Sequence, residues 1–363
     1  MTRRRLMIVL DDPQLPSSRV SALQFTGLLR DAGYDVDVAA LRAPELLQRQ
    51  ERVRHYAARL RVRRAAEPFV ARMQRQHEAD LMERAARAEV IYVIKAPQPE
   101  LLARISELSR PKLIFHVSDA FWLPFLQEHG WREMEPLLAL PDAITTTNEY
   151  TASHVRLRNP SVHVVPDCPQ VEDFDALRGS VQRDRDHIVV GWIGTPLTAT
   201  SLFKIWEPLE QLAEERKNWS LRLVGAGFPN LINVPRFENV RWSSLPGYDQ
   251  ETMIREVLAM DIGIFPLFAG DDALARGSLK ALIYMSGEAA TVSQAYGDNV
   301  DTIVDGVTGF LAGGNDQWLD KLRRLIDDGE TRRTMAANGL QMVRERYSRA
   351  KVFEQLRRAI ESV

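Results

Sequence analysis

Short apolar runs recur along the chain, each followed by a polar loop and then by apolar residues at helical spacing. The first run, Leu6-Met-Ile-Val-Leu10, ends in a polar, proline-containing loop. It reads as a parallel strand buried on both faces. Ser17 or Ser18 is placed to cap the helix that follows, and Gly33 to end it. Tyr34-Asp-Val-Asp-Val38 then reads as a second strand, so the chain opens with the βαβ unit of a doubly wound sheet. Val90–Ile94, Leu113–Val117, Ala143–Thr147 and Val162–Val165 repeat the theme.

The stretch 166–187 turns polar, and the alternation restarts at Ile188-Val-Val-Gly-Trp-Ile193. Further strands are expected at Leu221–Val224, Val240–Ser243, Ile262–Phe265 and Ala290–Ser293, with amphipathic helices such as Thr198–Arg216 and Asp249–Met260 between them. The fold class is therefore α/β, with two Rossmann-like doubly wound domains. The expected division is an N-terminal domain over 1–168, a linker over 169–187 and a C-terminal domain over 188–345. A final helix over 346–363 is free to cross back onto the first domain. Ligands of such sheets bind outside the carboxyl ends of the strands, so a central cleft faced by both domains is the expected site.

Composition changes this picture little. A chain of 363 residues with 45% hydrophobic and 26% charged positions is ordinary for two globular domains. A net charge of -2 gives no global signal for nucleic acid, and no nucleic-acid partner is expected. The single cysteine, Cys168, cannot form an internal disulfide and reads as a buried thiol in a reducing compartment. No apolar run is long enough to suggest a spanning helix, and the basic start does not read as a secretion signal, so a cytoplasmic protein is expected. One segment departs from the pattern. Residues 49–87 are helical in character and rich in arginine, with Arg52, Arg54, Arg59, Arg61, Arg63 and Arg64 crowding the first part. Two readings stand. One is a solvated helical face, diluted by Glu51, Glu67, Glu78, Asp80 and Glu83. The other is a surface for an anionic acceptor or for peripheral contact with the inner face of a membrane.

Three strand-end loops carry candidate chemistry. Gly191-Trp-Ile-Gly194-Thr195-Pro196 allows close backbone approach at Gly194, adds a hydroxyl at Thr195, and leads to a helix that Thr198 or Thr200 is placed to cap. Gly225-Ala-Gly227 follows a strand, but Pro229 interrupts the loop and Asn230 stands where a dinucleotide fingerprint has its third glycine. Arg276-Gly-Ser-Leu-Lys280 opens a helix after the strand Ile262–Phe265 and its loop. Two cations four residues apart, sharing a face of a helix start, are suited to hold a diphosphate and to stabilise charge growing on it. The alternative for that segment is a basic surface turn.

Several segments together resemble the nucleotide-sugar-binding half of retaining group-1 glycosyltransferases, family 4, which have the GT-B fold. They are Val164-Val-Pro-Asp-Cys168, Gly191-Trp-Ile-Gly-Thr-Pro196, Leu221-Arg-Leu-Val-Gly225, Asp261-Ile-Gly-Ile-Phe-Pro-Leu267, Leu279-Lys-Ala-Leu-Ile-Tyr-Met-Ser-Gly287 and Asp305-Gly-Val-Thr-Gly-Phe-Leu311. The resemblance covers roughly 160–347. The first domain is similar more loosely, through Ser18-Arg19 and its strand pattern. The resemblance implies transfer of a hexose-like sugar from a nucleotide-diphosphate-sugar to an acceptor hydroxyl, with retention and without a metal or other cofactor. The acceptor stays open between a small molecule and a lipid-linked one, the latter suggested by the arginine-rich stretch. It assigns Arg276 and Lys280 to the diphosphate. Gly194 and Thr195 fall to the phosphate and acceptor side, Ser278 and Leu279 to the donor nucleotide, Trp242, Ser243 and Leu245 to the base, and Asn299 to the donor sugar or phosphate. His116 is the counterpart of a first-domain histidine that touches the sugar, with a structural histidine as the other reading. Ser18, Arg19 and Asp119 fall on the acceptor side.

The family's two donor-loop glutamates are replaced here by Ala275 and Ile283, and an isoleucine cannot accept a hydrogen bond from a ribose hydroxyl. Two further readings follow. One is a catalytically degenerate relative that acts as a binding partner. The other is an epimerase or phosphorylase of the same fold.

Overall fold

The computed structural model describes residues 3–59, 62–94, 99–120, 122–123, 134–184, 186–227, 241–245 and 248–363, with Arg63 and residues 241–244 described by backbone alone. Arg61, Pro229 and Asn230 lie outside these ranges, as do the side chains of Trp242 and Ser243. The chain divides into two compact units, 1–165 with 353–363, and 166–352.

The first unit is built on a six-stranded parallel sheet in the order β2-β1-β3-β4-β5-β6. Its strands are β1 (Arg4–Leu10), β2 (Tyr34–Ala40), β3 (Val90–Ile94), β4 (Lys112–Val117), β5 (Ala143–Thr146) and β6 (Val162–Val164). The central strands are apolar along their whole length because helices cover both faces. The order reverses between β1 and β3, so this sheet's switch point lies at the carboxyl ends of that pair. The helix after β1 starts at Pro16, with Leu15 as its N-cap. Ser17 and Ser18 therefore lie inside the helix and cap nothing, because proline at the first helical position supplies the preset φ and lacks an N–H to be capped. Gly33 follows the next helix with φ +94°, a conformation that favours glycine.

The arginine-rich segment forms two helices, Pro44–Arg59 and Arg63–Arg87. Part of its charge is locally paired. Arg54 lies 3.2 Å from Glu67 and Arg84 2.6 Å from Asp37, and Arg87 bonds Glu83. Among the described residues no helix is long and apolar enough to cross a membrane. The last helix, Arg349–Glu361, carries the chain from the second unit back to the first. There Phe353 stacks on Phe25 at 6.4 Å, and Arg4 donates to the Val363 carbonyl at 2.8 Å.

The second unit repeats the design in the order β12-β11-β10-β7-β8-β9. Its strands are β7 (Ile188–Ile193), β8 (Trp219–Val224), β9 (Arg241–Leu245), β10 (Ile262–Phe265), β11 (Ala290–Gln294) and β12 (Phe310–Ala312). Alternate side chains serve opposite faces. Ile188, Val190 and Trp192 join one core with Trp219, Leu221 and Leu223. Ile193 joins the other, with Tyr284, Met260 and Phe265. Of the stretch expected to link the halves, Val171–Arg178 is a helix whose Val171 and Phe174 are buried in that second core. The helix expected over Thr198–Arg216 is broken into Pro196–Ala199, a 3-10 turn over Thr200–Ile205, and Trp206–Glu215.

Candidate functional site

The order of the second sheet reverses between β7 and β10, which are paired through Val190 with Ile262 and Gly191 with Gly263. That switch point is where a doubly wound sheet opens a crevice at its strand ends. The loop after β7 holds Gly194 and Thr195, and the helix Leu279–Ser286 holds Lys280 in its first turn. Both converge here.

Backbone geometry shapes the β7 loop. A Cβ on Gly194 would lie 2.4 Å from Trp192 Cη2 and 2.7 Å from Thr198 Oγ1. Gly225, at φ +78°, leaves no room either, since its Cβ would lie 2.1 Å from the Gly194 carbonyl oxygen. Gly225-Ala-Gly227 is thus a turn that seats one strand-end loop against another. Tyr248 locks the same loop by donating to the Gly194 carbonyl at 3.1 Å. Thr195, not Thr198 or Thr200, is the N-cap of the helix Pro196–Ala199. Thr198 Oγ1 instead accepts from the Thr195 N–H at 3.0 Å and from Lys280 Nζ at 3.3 Å.

Lys280 is the central charge. Its ammonium lies 4.6 Å from the centre of the Trp192 ring and 5.4 Å from that of Phe265. Ring faces attract a cation, but they replace water poorly. No carboxylate among the described residues comes within ion-pair distance of it. Loss of water around the ammonium, with a lesser push from the Arg276 charge, brings its pKa down to about 7. The residue as a whole is half-buried, with its ammonium set among the two rings and the Thr198 hydroxyl.

Arg276 sits differently from the sequence expectation. It follows the short helix Asp271–Ala275 with extended backbone (φ -81°, ψ 137°), and the next helix begins only at Leu279. The two cations are therefore not on one helix face, although they are close enough for Arg276 to disfavour charge on Lys280. Arg276 is 48% exposed and lies 3.6 Å from the exposed Asp272. Ser278 is the N-cap of the Lys280 helix, and its N–H donates to Asp298 at 2.8 Å. Burial raises the Asp298 pKa, with the Ser278 hydrogen bond opposing. The Ser278 hydroxyl is buried beside the Asp298 carboxyl.

Other sequence-predicted residues are placed less openly. Asn299 is 1% exposed and donates to the Gln294 carbonyl at 3.1 Å. Leu279 is half-buried at the helix start, and Leu245 accepts the Gly225 N–H at 2.7 Å. Trp242 and Ser243 belong to β9 by backbone. Ala275 is buried, and Ile283 packs on the second core. In the first unit, His116 is 2% exposed, with Nδ1 2.9 Å from Thr145 Oγ1, surroundings typical of an interior histidine. Ser18 is buried and donates to the Asp12 carbonyl at 2.6 Å. Arg19 is half-buried at the carboxyl side of β1, with no ion pair to a described residue. Asp119 is half-buried after β4.

Three participants escaped sequence reasoning: Trp192 and Phe265 as the walls around Lys280, and Asp298 under the helix start. A cavity of about 790 Å³ at the opposite, N-terminal rim of the second sheet is a poor rival despite its size. Its Arg183 donates to the carbonyls of Leu258, Gly287 and Glu288, and its Arg332 to those of Leu325 and Ile326. These arginines answer helix C-termini, whose partial negative charge gathers at that rim, and leave little positive charge for a ligand.

No family model and no curated protein matches the chain by sequence. Solved structures do match by shape. HepE of Anabaena, in complex with UDP-glucose, is 16% identical with a TM-score of 0.67, over 99% of this chain and 100% of that one. Sucrose-phosphate synthase of Thermosynechococcus elongatus is 13% identical with a TM-score of 0.66, over 98% of each chain. A glycosyltransferase of Rickettsia africae is 11% identical with a TM-score of 0.68, over 99% of this chain and 98% of that one. The two parallel-sheet units are those of the GT-B fold.

Proposed function

We propose that the chain is a glycosyltransferase that moves a sugar from a nucleoside-diphosphate sugar to an acceptor hydroxyl, with retention at the transferred carbon. One observation carries the reading: a lysine ammonium with no carboxylate partner among the described residues is enclosed at the switch point of the second sheet, beside a glycine turn. An enclosed cation of this kind favours an anion, and a diphosphate supplies one at the place where doubly wound sheets bind ligands. The UDP-glucose bound by HepE makes a uridine donor the first to try.

In the proposed reaction Lys280 and Arg276 hold the diphosphate, and Gly194 and Thr195 let it approach the backbone. The bond from the sugar's anomeric carbon to the diphosphate oxygen breaks, and negative charge grows on that oxygen. The two cations stabilise it more in the transition state than in the ground state, which lowers the barrier. The acceptor hydroxyl attacks on the face the diphosphate leaves. Its proton passes to the departing diphosphate, and the nucleoside diphosphate is released. The residues assigned here need no metal. Arg19 and Asp119 are assigned to the acceptor, a small molecule or a lipid-linked one.

Ala275 and Ile283 favour a second reading, in which the chain binds the nucleotide but does not turn it over. Calorimetry with a panel of nucleoside diphosphates and their sugars, followed by product analysis with acceptor alcohols, separates the two. Failure to bind any of them refutes both. Binding without transfer or hydrolysis supports the second.

A further inference from the structure

Two glycines face each other across the switch point, Gly191 on β7 and Gly263 on β10. Glycine inside a strand marks close approach by another group. A Cβ on Gly263 would lie 2.2 Å from the Tyr284 ring, and one on Gly191 would lie 2.1 Å from Met260 Sδ. Gly263 thus opens a slot into which Tyr284 drops from the helix Leu279–Ser286, while Gly191 beside it makes room for Met260.

At the bottom of that slot the phenol does something a β ladder usually does. Beyond Gly191 and Gly263 the direct pairing of β7 with β10 ends. The Ile193 N–H donates to the Tyr284 hydroxyl at 2.9 Å, and the hydroxyl donates to the Ile264 carbonyl at 3.1 Å. One side chain is inserted between two strand ends and satisfies a backbone group on each. The strands are held apart by the width of a hydroxyl, and the Ile193 N–H and the Ile264 carbonyl both keep a partner. Tyr284 is fully buried. It also lies four residues after Lys280, on the same face of the same helix.

We propose that Tyr284 is the positioning residue of the donor site: its hydroxyl wedges β7 from β10 and fixes Lys280 against the Gly194–Thr195 turn. The chain of contacts is short. Ile193 precedes Gly194 directly, so the bond that pins Ile193 sets where the turn begins. Ile264 precedes Phe265, one of the two rings against the Lys280 ammonium. The helix that carries Tyr284 carries Lys280. Loss of the hydroxyl leaves a buried N–H and a buried carbonyl to find each other across the gap or to go unpaired. Either outcome moves the turn, the ring and the ammonium relative to one another.

The proposal rests on the transferase reading for its ligand, so the test has two arms. The first is calorimetry of UDP-glucose with the parent chain, Tyr284→Phe, Lys280→Met and the double variant. The expected result is about a tenfold loss of affinity for Tyr284→Phe, and about a twofold or smaller further loss when it is added to Lys280→Met, since both changes remove one arrangement. Unchanged affinity in Tyr284→Phe, or losses that multiply in the double variant, overturns the positioning role. The second arm needs no ligand. The chain has seven lysines, so 13C NMR of lysine Cε can follow the Lys280 titration alone. In Tyr284→Phe it is expected to move upward by about one pH unit or more as the crevice relaxes and water reaches the ammonium. A merely structural phenol would lower the melting temperature and leave that titration where it was, which overturns the proposal. If the parent chain binds no UDP-glucose, the first arm is run with whichever nucleoside diphosphate or sugar of the panel does bind; if none binds, the transferase reading fails and the NMR arm alone decides the role of Tyr284.

Discussion

Raising the pH from 7 to 8 should weaken donor binding and make it take up a proton. The cause is Lys280, whose enclosure between Trp192 and Phe265 brings its pKa down to about 7 from the ordinary 10.5. The difference corresponds to at most about 5 kcal/mol of disfavoured charge, at about 1.36 kcal/mol per unit. A bound diphosphate reverses that preference by placing negative charge beside the ammonium. In the free chain about half the Lys280 ammonium is deprotonated at pH 7 and about nine-tenths at pH 8. Binding should then take up about 0.5 proton per site at pH 7 and about 0.9 at pH 8, and the dissociation constant should rise toward tenfold per pH unit above 7. UDP-glucose is the ligand to use, because neither phosphate of its diphosphate titrates near neutral pH. Calorimetry at pH 8 in buffers of different ionisation enthalpy measures the proton uptake directly. The stability of the free chain carries the opposite sign. A lysine whose folded pKa is lowered penalises the fold below about pH 7 and is relieved as the pH rises toward 10.5, so stability should increase over that window. Binding that is flat from pH 6.5 to 8.5, with no buffer dependence of the heat, would refute the reasoning.

Other variants probe the same crevice from different sides. Arg276→Ala removes a half-exposed side chain with one weak ion pair, so the melting temperature should stay put while turnover falls at least about tenfold. Gly194→Ala drives a methyl group into Trp192 and Thr198 and should cost about 1–3 kcal/mol in chemical denaturation while also weakening donor binding. Gly225→Ala adds a disfavoured positive φ to a clash with the Gly194 carbonyl and should cost at least as much by the same assay.

The two sheets were legible because parallel strands buried on both faces are continuous apolar runs. Leu6–Leu10 and Ile188–Ile193 could hardly be anything else. Elements without that signature were harder. β12 is three residues long, and Phe310-Leu-Ala312 is too short a run to separate from the turn before it. The helix expected over Thr198–Arg216 lost its continuity where Thr200–Ile205 tightened into a 3-10 turn. At the site, Lys280 was visible as a cation at a helix start, since a charged residue opening an apolar helix needs a reason. Its walls were not visible. Trp192 and Phe265 read as core residues, and which strand ends share a crevice depends on strand order, a nonlocal property. The helical relation of Arg276 to Lys280 failed for a local reason: Gly277 and Ser278 stand between two short helices, outside either one. Tyr284 did leave a signal. A glycine inside the run Ile262-Gly-Ile-Phe265 announces a close neighbour, and that neighbour is the Tyr284 ring.

The most direct measurement is a crystal structure of the chain with a nucleoside-diphosphate sugar. The diphosphate should lie within about 3 Å of Lys280 Nζ, in contact with the backbone at Gly194 and Thr195. A diphosphate seated at the arginine-lined rim on the other side of the sheet, with Lys280 untouched, would contradict the assignment of the site.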